Sequence, residues 1–378
     1  MSGNAERIGL AGGFVDFQVG EKTERIDKDF SNTEIVLSVV LGKIEASGFS
    51  LEDIKKIGHR VVHGGEKFFE PIEVNPSVVT ELEKLNELAM LHNPPNIAGI
   101  KGCLKLLPNA KNYAVFDTAF HQRMPKKSYL YGIPYSLYTQ YKIRRYGFHG
   151  SSHRFVADRA AAFLKRSLSS LKIVTIHLGN GCSMAAVDGG VSLDTSMGFT
   201  PLEGLLMGTR SGDIDPSVIL YIMGKEGLTL SEANTLLNKH SGLQGISGVS
   251  SDMREVITEM KSGNKQATYA FDVFTYRVKK YIGAYAAALG GLDAVVFTGG
   301  IGENSADVRR ACCTGLEFMG ILFDESSNSS KLKEKMISTE TSKTKVLVIP
   351  TNEELVIAMD SMEIVNAIKP IGANATAS

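Results

Sequence analysis

The sequence predicts an α/β protein of two domains with mixed sheets, and three observations lead there. Its 378 residues exceed what one hydrophobic core ordinarily supports, so two domains are expected. Compact apolar runs that end in polar or glycine-rich residues read as buried central strands. Helical periodicity and a hairpin signal lie between those runs, a mixture that gives α/β architecture.

Each element follows from its residues. Tyr113-Ala114-Val115-Phe116 is an apolar run ending on Asp117. Ile173-Val174-Thr175-Ile176-His177-Leu178 runs into Gly179-Asn180-Gly181. Ser183 to Ser192 alternates about Asp188-Gly189-Gly190, a hairpin signal. Phe271, Phe274, Val278, Ile282, Tyr285 and Leu289 recur at helical steps and stop at Gly290-Gly291. That apolar face suits a core or a subunit interface equally. Ala294-Val295-Val296-Phe297-Thr298 runs into Gly299-Gly300-Ile301-Gly302, and Lys345-Val346-Leu347-Val348-Ile349 into Pro350-Thr351-Asn352-Glu353-Glu354. His92-Asn93-Pro94-Pro95-Asn96 reads as a rigid turn. Residues 371–378 read as a disordered tail. In open α/β sheets ligands gather at the C-terminal ends of strands, so the polar strand ends are what function must explain.

Composition excludes several classes. Lys+Arg and Asp+Glu are both 41, so no global basic field draws nucleic acid or anionic membrane, and any anion site must be built locally. No apolar run approaches a membrane span. Glu6, Arg7 and Asp16 stand where a signal peptide needs an apolar stretch. Cys103, Cys182, Cys312 and Cys313 form no C-x-x-C pattern. These features predict a cytoplasmic protein that binds neither nucleic acid nor membrane.

The chemistry-bearing residues carry two readings each. Glycine turns after buried strands let backbone N–H groups approach a phosphate, or serve only the turn. Neither turn matches a P-loop or a dinucleotide fingerprint. Arg60, in Gly58-His59-Arg60-Val61-Val62-His63-Gly64-Gly65, and Arg210, in Gly208-Thr209-Arg210-Ser211-Gly212-Asp213, present planar forks suited to carboxylate and phosphate. The bland reading is a surface arginine. Asp117 at a strand end is a functional carboxylate or a helix N-cap. His59/His63 and His149/His153 are spaced i,i+4, but without H-E-x-x-H a zinc site is disfavoured. His149 reads as a donor to a transferring group, and His153 as a structural histidine.

Taken in order, these segments resemble the acetate kinases, a family of the actin/sugar-kinase/Hsp70 superfamily. The matching stretches are residues 58–65, 91–96, 115–121, 146–153, 177–181, 197–204, 208–216, 297–305 and 350–355, nearly the whole chain. The resemblance implies a two-domain, ribonuclease H-like α/β fold with mixed sheets and the active site in the interdomain cleft. It places an N-terminal domain at 1–118, completed by a C-terminal helix 355–370, and a nucleotide-binding domain at 119–354. It implies reversible, direct in-line phosphoryl transfer from ATP to acetate, giving acetyl phosphate and ADP, with Mg²⁺ or alternatively Mn²⁺, by a homodimer. By matching position, Asp117, His149 and Arg210 are catalytic. Arg60, Val62, Leu91, Phe148 and Pro201 bind the acetate. His177, Leu178, Gly179, Asn180, Gly181, Asp252, Met253, Arg254, Gly300, Ile301, Gly302, Glu303 and Asn304 hold the nucleotide, and Glu353 holds the metal. A methyl pocket discriminates one methylene by only ~1–3 kcal/mol, so a propionate kinase is the close alternative.

The chain departs from the family at its start. Nothing in Met1 to Phe30 matches the family's N-A-G-S-S-S-x-K segment and first strand, so this chain is expected to be a poor kinase. A non-catalytic nucleotide-binding relative is the alternative of a different class. Cys182 and Met253 stand where serine and phenylalanine are common in the family. Asp117 is expected to orient Arg60 or metal-bound water rather than to act as a base.

Overall fold

The structure is a computed structural model that describes residues 1–89 and 92–367, with side chains to 362. Leu91 and the tail 371–378 lie outside the described residues. The chain divides into two units. One is Met1–Ala119 together with the chain from Glu354, and the other is Phe120–Glu353.

The first unit holds two small sheets. β1 (Ser2–Glu6), β2 (Phe14–Val19) and β3 (Lys22–Asp27) form an antiparallel meander. Val15 and Phe17 of β2 face Phe30 and Val36, the latter on the helix Thr33–Ala46. β4 (Lys56–Val61), β5 (Ile72–Glu73) and β6 (Lys111–Phe116) form the second sheet, with β6 central, parallel to β4 and antiparallel to β5. Its core joins Val61, Val78, Leu82, Ile97, Ile100 and Phe116, with the Phe68 and Phe116 rings stacked at 5.1 Å.

The parallel register sets the chemistry here. Arg60 pairs with Val115. Side chains alternate faces along a strand, so Asp117, two residues beyond Val115, comes to the face that carries Arg60. The expected rigid turn at 92–96 is instead the start of the helix Asn93–Leu106. Pro94 and Pro95 fall in its first turn, where backbone N–H groups have no helical partner and proline costs nothing.

The second unit is built on a six-stranded sheet. β7 (Lys172–Leu178), β8 (Cys182–Asp188), β9 (Val191–Thr195), β10 (Ala294–Thr298), β11 (Lys335–Met336) and β12 (Lys345–Val348) lie in the order β11-β12-β10-β7-β8-β9. β7, β10 and β12 are parallel, and the other pairings are antiparallel. The β8–β9 hairpin turns at Gly189 and Gly190, with φ of 58° and 89°, as the sequence predicts. The helix Gly150–Leu164 covers one sheet face through Val156, Ala157, Ala160 and Ala161.

The long helix spans Lys265–Leu289. Asn264 caps its start by accepting from the backbone N–H groups of Gln266 and Ala267, and Gly290 ends it at φ 66°. Phe271, Phe274, Val278, Ile282, Tyr285 and Leu289 are all buried, so its apolar face is core. Because β7, β10 and β12 are parallel, their ends at Leu178, Thr298 and Val348 open onto one edge of the sheet. Among the described residues no helix is long and apolar enough to cross a membrane.

Candidate active site

In the first unit Arg60 and Asp117 form a bidentate ion pair. Arg60 Nε donates to Asp117 Oδ1 at 2.9 Å, and Nη2 to Oδ2 at 2.6 Å. The Asp117 side chain is 3% exposed and that of Arg60 44%. Both carboxylate oxygens are thus engaged by a cation, which is the geometry of an orienting group rather than of a free base. The N-cap reading of Asp117 gives way to this pairing.

The segment after Arg60 is fastened by the helix Asn93–Leu106. Asn93 Oδ1 accepts from His63 N, and Asn93 Nδ2 donates to His63 O, both at 3.1 Å. Asn96 Oδ1 accepts from Val62 N at 3.2 Å. Val62, predicted to line the acetate pocket, is buried beside this clamp. Neither asparagine stood out as a site residue, because their partners are backbone atoms about thirty residues away. The paired histidines here have structural partners. His59 Nε2 meets Asn112 Oδ1 at 2.7 Å, and His63 Nδ1 accepts from Gly65 N at 2.9 Å. Burial pushes His63 down to about 3.

In the second unit His149 and Arg210 converge on Gly181. A β-carbon placed on Gly181 would lie 3.6 Å from His149 Nε2 and 3.6 Å from Arg210 Nη1. His149 adopts φ 57°, a left-handed conformation uncommon for histidine, just before the helix Gly150–Leu164. Arg210 Nη1 donates to Pro201 O at 3.2 Å. Among the described residues Arg210 has no carboxylate partner, and burial pushes its guanidinium below the ordinary value. Phe148 is buried, and its carbonyl accepts from His121 Nε2 at 3.0 Å.

Beside this cationic corner lies a cavity of about 860 Å³. Gly179, Asn180, Asp252, Met253, Arg254, Gly300, Ile301 and Asn304 line it, together with Ser251, Ile257 and Ser305–Asp307. Gly299 must be glycine: its φ is 75° and an added β-carbon would lie 2.7 Å from Leu178 O. Arg254 grips Asp252 through Nε at 3.0 Å and Nη2 at 2.5 Å, which holds that carboxyl below its usual range.

Five of the predicted nucleotide residues do not line the cavity. Leu178 is buried in the sheet, and Gly302 packs beneath the turn against Phe297. Glu303 Oε1 accepts from Gly299 N at 2.9 Å and Thr351 N at 3.2 Å, so it ties two strand-end turns together. His177 stacks on His149 at 4.3 Å, and Gly181 sits against His149 and Arg210. A buried arginine that the sequence did not single out completes the turn. Arg309 Nη1 donates to the carbonyls of Gly302 at 2.9 Å and Glu303 at 2.8 Å. The Cys182 thiol donates to Gly179 O at 3.2 Å, and burial pushes that thiol up to about 12.

Among the described residues no group of three His, Cys, Asp or Glu side chains is placed to hold a metal. Glu353 stands at the start of the helix Glu353–Ala367. A single carboxylate fits a hard divalent ion that takes its other ligands from phosphate oxygens and water.

An arginine without a carboxylate partner among the described residues and a histidine, beside a large cavity at parallel strand ends, suit a phosphotransferase. Residues 1–359 match the model of the acetokinase family, and the chain belongs to that family. It is 51% identical to the acetate kinase of Alkaliphilus metalliredigens over 96% of this chain and 93% of that one. The crystal structure of Porphyromonas gingivalis acetate kinase superposes with a TM-score of 0.92 at 46% identity, covering 96% of this chain and 92% of that one. A propionate kinase structure from Francisella tularensis follows with a TM-score of 0.90 at 41% identity, over 96% and 92%. The fold is thus the two-domain α/β fold of the actin/sugar-kinase/Hsp70 type. The family implies a kinase acting on a carboxylate with ATP/ADP and a divalent metal.

Proposed function

We propose that this chain catalyses reversible phosphoryl transfer between ATP and acetate by direct in-line displacement. The observation that carries the reading is the convergence of His149 and Arg210 on Gly181, beside the cavity that Gly179 and Asn180 line. An acetate oxygen attacks the γ-phosphorus, the bond to the β–γ bridging oxygen breaks, and ADP leaves with that electron pair. Acetate is already ionised near pH 7, with a carboxyl pKa around 4–5, so no base is needed. The barrier comes from bringing two anions together, and positioning plus charge neutralisation lower it.

Arg210 and His149 stabilise the transferring phosphoryl group, and Arg60, oriented by Asp117, holds the carboxylate. Within the second unit, Phe148 and Pro201 offer apolar walls to the methyl group. Gly179, Asn180, Gly300 and Ile301 carry the phosphates, and Asp252, Met253 and Arg254 the adenosine. Glu353 holds Mg²⁺, which when bound neutralises phosphate charge. We also propose a cytoplasmic homodimer. Four buried free cysteines suit a reducing compartment, and Leu220 and Tyr221 are exposed at 70% and 66% on the helix Pro216–Glu226.

The test is hydroxylamine trapping of acetyl phosphate by the purified chain with ATP, acetate and Mg²⁺. Acetyl hydroxamate is expected, with propionate used less well. ATP binding by calorimetry without hydroxamate would overturn the reading in favour of a non-catalytic relative. A higher kcat/KM for propionate would make the acceptor propionate.

A further inference from the structure

Four histidines lie together in the second unit, and the transfer chemistry uses only one of them. The His149 and His177 rings stack at 4.3 Å, and His153 meets the edges of His121 at 5.6 Å and His177 at 6.5 Å. One serine hydroxyl joins two of them. Ser183 Oγ lies 2.8 Å from His149 Nδ1 and 2.7 Å from His153 Nε2. The other ring nitrogen of His153, Nδ1, lies 2.8 Å from Thr175 Oγ1. Ser183, His153 and Thr175 are all fully buried. Thr175 and Ser183 sit on the paired strands β7 and β8.

We infer that Ser183 and His153 are positioning residues: with Thr175 they form a directional relay that holds the His149 proton on Nε2, the nitrogen beside Gly181 and Arg210. A hydroxyl has one hydrogen, and a neutral imidazole has one donor and one acceptor nitrogen. Burial holds His153 neutral, well below its ordinary value. Two arrangements then place a hydrogen in each of these contacts and spend the Ser183 hydrogen within the relay. In the first, Thr175 donates to His153 Nδ1, His153 Nε2–H donates to Ser183, and Ser183 donates to His149 Nδ1. His149 must then carry its proton on Nε2. In the second every bond reverses, and Thr175 must turn its hydrogen to Ala185 O.

Distance decides between them. The Thr175 Oγ1 contact with Ala185 O is 3.5 Å, at the edge of hydrogen bonding, against 2.8 Å with His153 Nδ1. The first arrangement keeps every hydrogen on a short bond. It leaves His149 presenting an N–H, the group needed to stabilise charge on a transferring phosphoryl oxygen. His121 shows the same logic independently. Its Nε2 donates to Phe148 O, so its Nδ1 accepts from Ser192 Oγ at 2.7 Å.

The inference rests on the proposed role of His149, so the test separates the two. The protein is labelled with ¹⁵N-histidine, and ring-nitrogen correlations are recorded without substrates, with His149→Gln assigning the signal. The expected result is protonated Nε2 and bare Nδ1 on His149. Ser183→Ala should shift that signal toward the other tautomer and lower kcat roughly 10-fold, with KM for ATP nearly unchanged. Ser183→Thr, which keeps the hydroxyl, should restore both. Thr175→Val removes the hydrogen at the far end, should move the spectrum the same way, and serves if Ser183→Ala does not fold. A wild-type His149 already protonated on Nδ1, or a signal unmoved by both variants, would overturn the relay. Full activity of His149→Gln would instead sink the role assigned to His149, and the spectrum would still judge the relay.

Discussion

Arg60 in the first unit and Arg210 in the second are both held by glycine-flanked segments, but their charges are handled in opposite ways. Arg60 is gripped by Asp117 through two hydrogen bonds, so its position is fixed and its charge largely compensated. Arg210 is more deeply buried, donates to a carbonyl and a thioether sulfur, and faces no carboxylate among the described residues. The contrast supports the proposed division of work between the two arginines. An already compensated guanidinium suits the bidentate recognition of a stable carboxylate. An uncompensated one in a desolvated setting suits the charge that develops on a transferring phosphoryl group.

The comparison breaks most visibly at Arg210. Arg210→Ala should lower kcat about 1,000-fold in the hydroxamate assay, while shifting unfolding free energy in urea by less than about 1 kcal/mol, since it strands no anion. Arg210→Lys should recover only part of the rate.

Asp117→Asn should lower kcat about 10- to 100-fold without moving an acidic limb of the pH–rate profile. Arg60→Ala should cost about 1–3 kcal/mol of stability, because Asp117 is left buried without its cation. In a double-mutant cycle the two rate effects should be strongly non-additive. Additive effects, or a moved acidic limb, would mean that Asp117 acts as a proton acceptor.

Acid stability should not distinguish the units, since each hides neutral histidines. His63 is pushed down to about 3 and His121 to about 4, both by burial. Their folded values lie below the unfolded 6.5. The contribution is therefore complete above about pH 6.5 and lost as pH falls toward the folded values. Between pH 7 and 5 each group removes about 2 kcal/mol. His63→Gln should flatten the denaturation-derived stability profile by about that amount, and unchanged curvature would show that His63 is hydrated.

The smallest effect expected is at the clamp. Asn93→Ala should cost about 1 kcal/mol of stability and raise KM for acetate about threefold, with KM for ATP unmoved.

The strands, the hairpin and the long helix were legible because each leaves a local period or a glycine where the chain must turn. The strand ends at Asp117, Gly179 and Gly299 were legible for the same reason. The Pro94-Pro95 pair misled, since prolines that stop a helix also suit its first turn. Asp117 was visible as a carboxylate at a strand end, but its partner emerged only from the register of β4 against β6. Leu178, Gly302 and Glu303 were grouped with the nucleotide residues as parts of continuous stretches, whereas neighbouring side chains take different directions in the fold. Asn93, Arg309 and Ser183 were not singled out because their partners are backbone atoms or residues remote in sequence.

Gly58 carries a consequence for how the molecule is made. A β-carbon there would come within 2.5 Å of Ile357 Cγ2 and 2.8 Å of Ser361 Oγ, so the helix Glu353–Ala367 passes close against β4 at this point. The second unit, by contrast, is one uninterrupted stretch. As the chain leaves the ribosome, the first unit begins first yet meets this helix only after the second unit has been made. The second unit can complete its sheet beforehand. The Arg60–Asp117 pair at the ends of β4 and β6 thus sits on the unit whose segments are made on either side of the other.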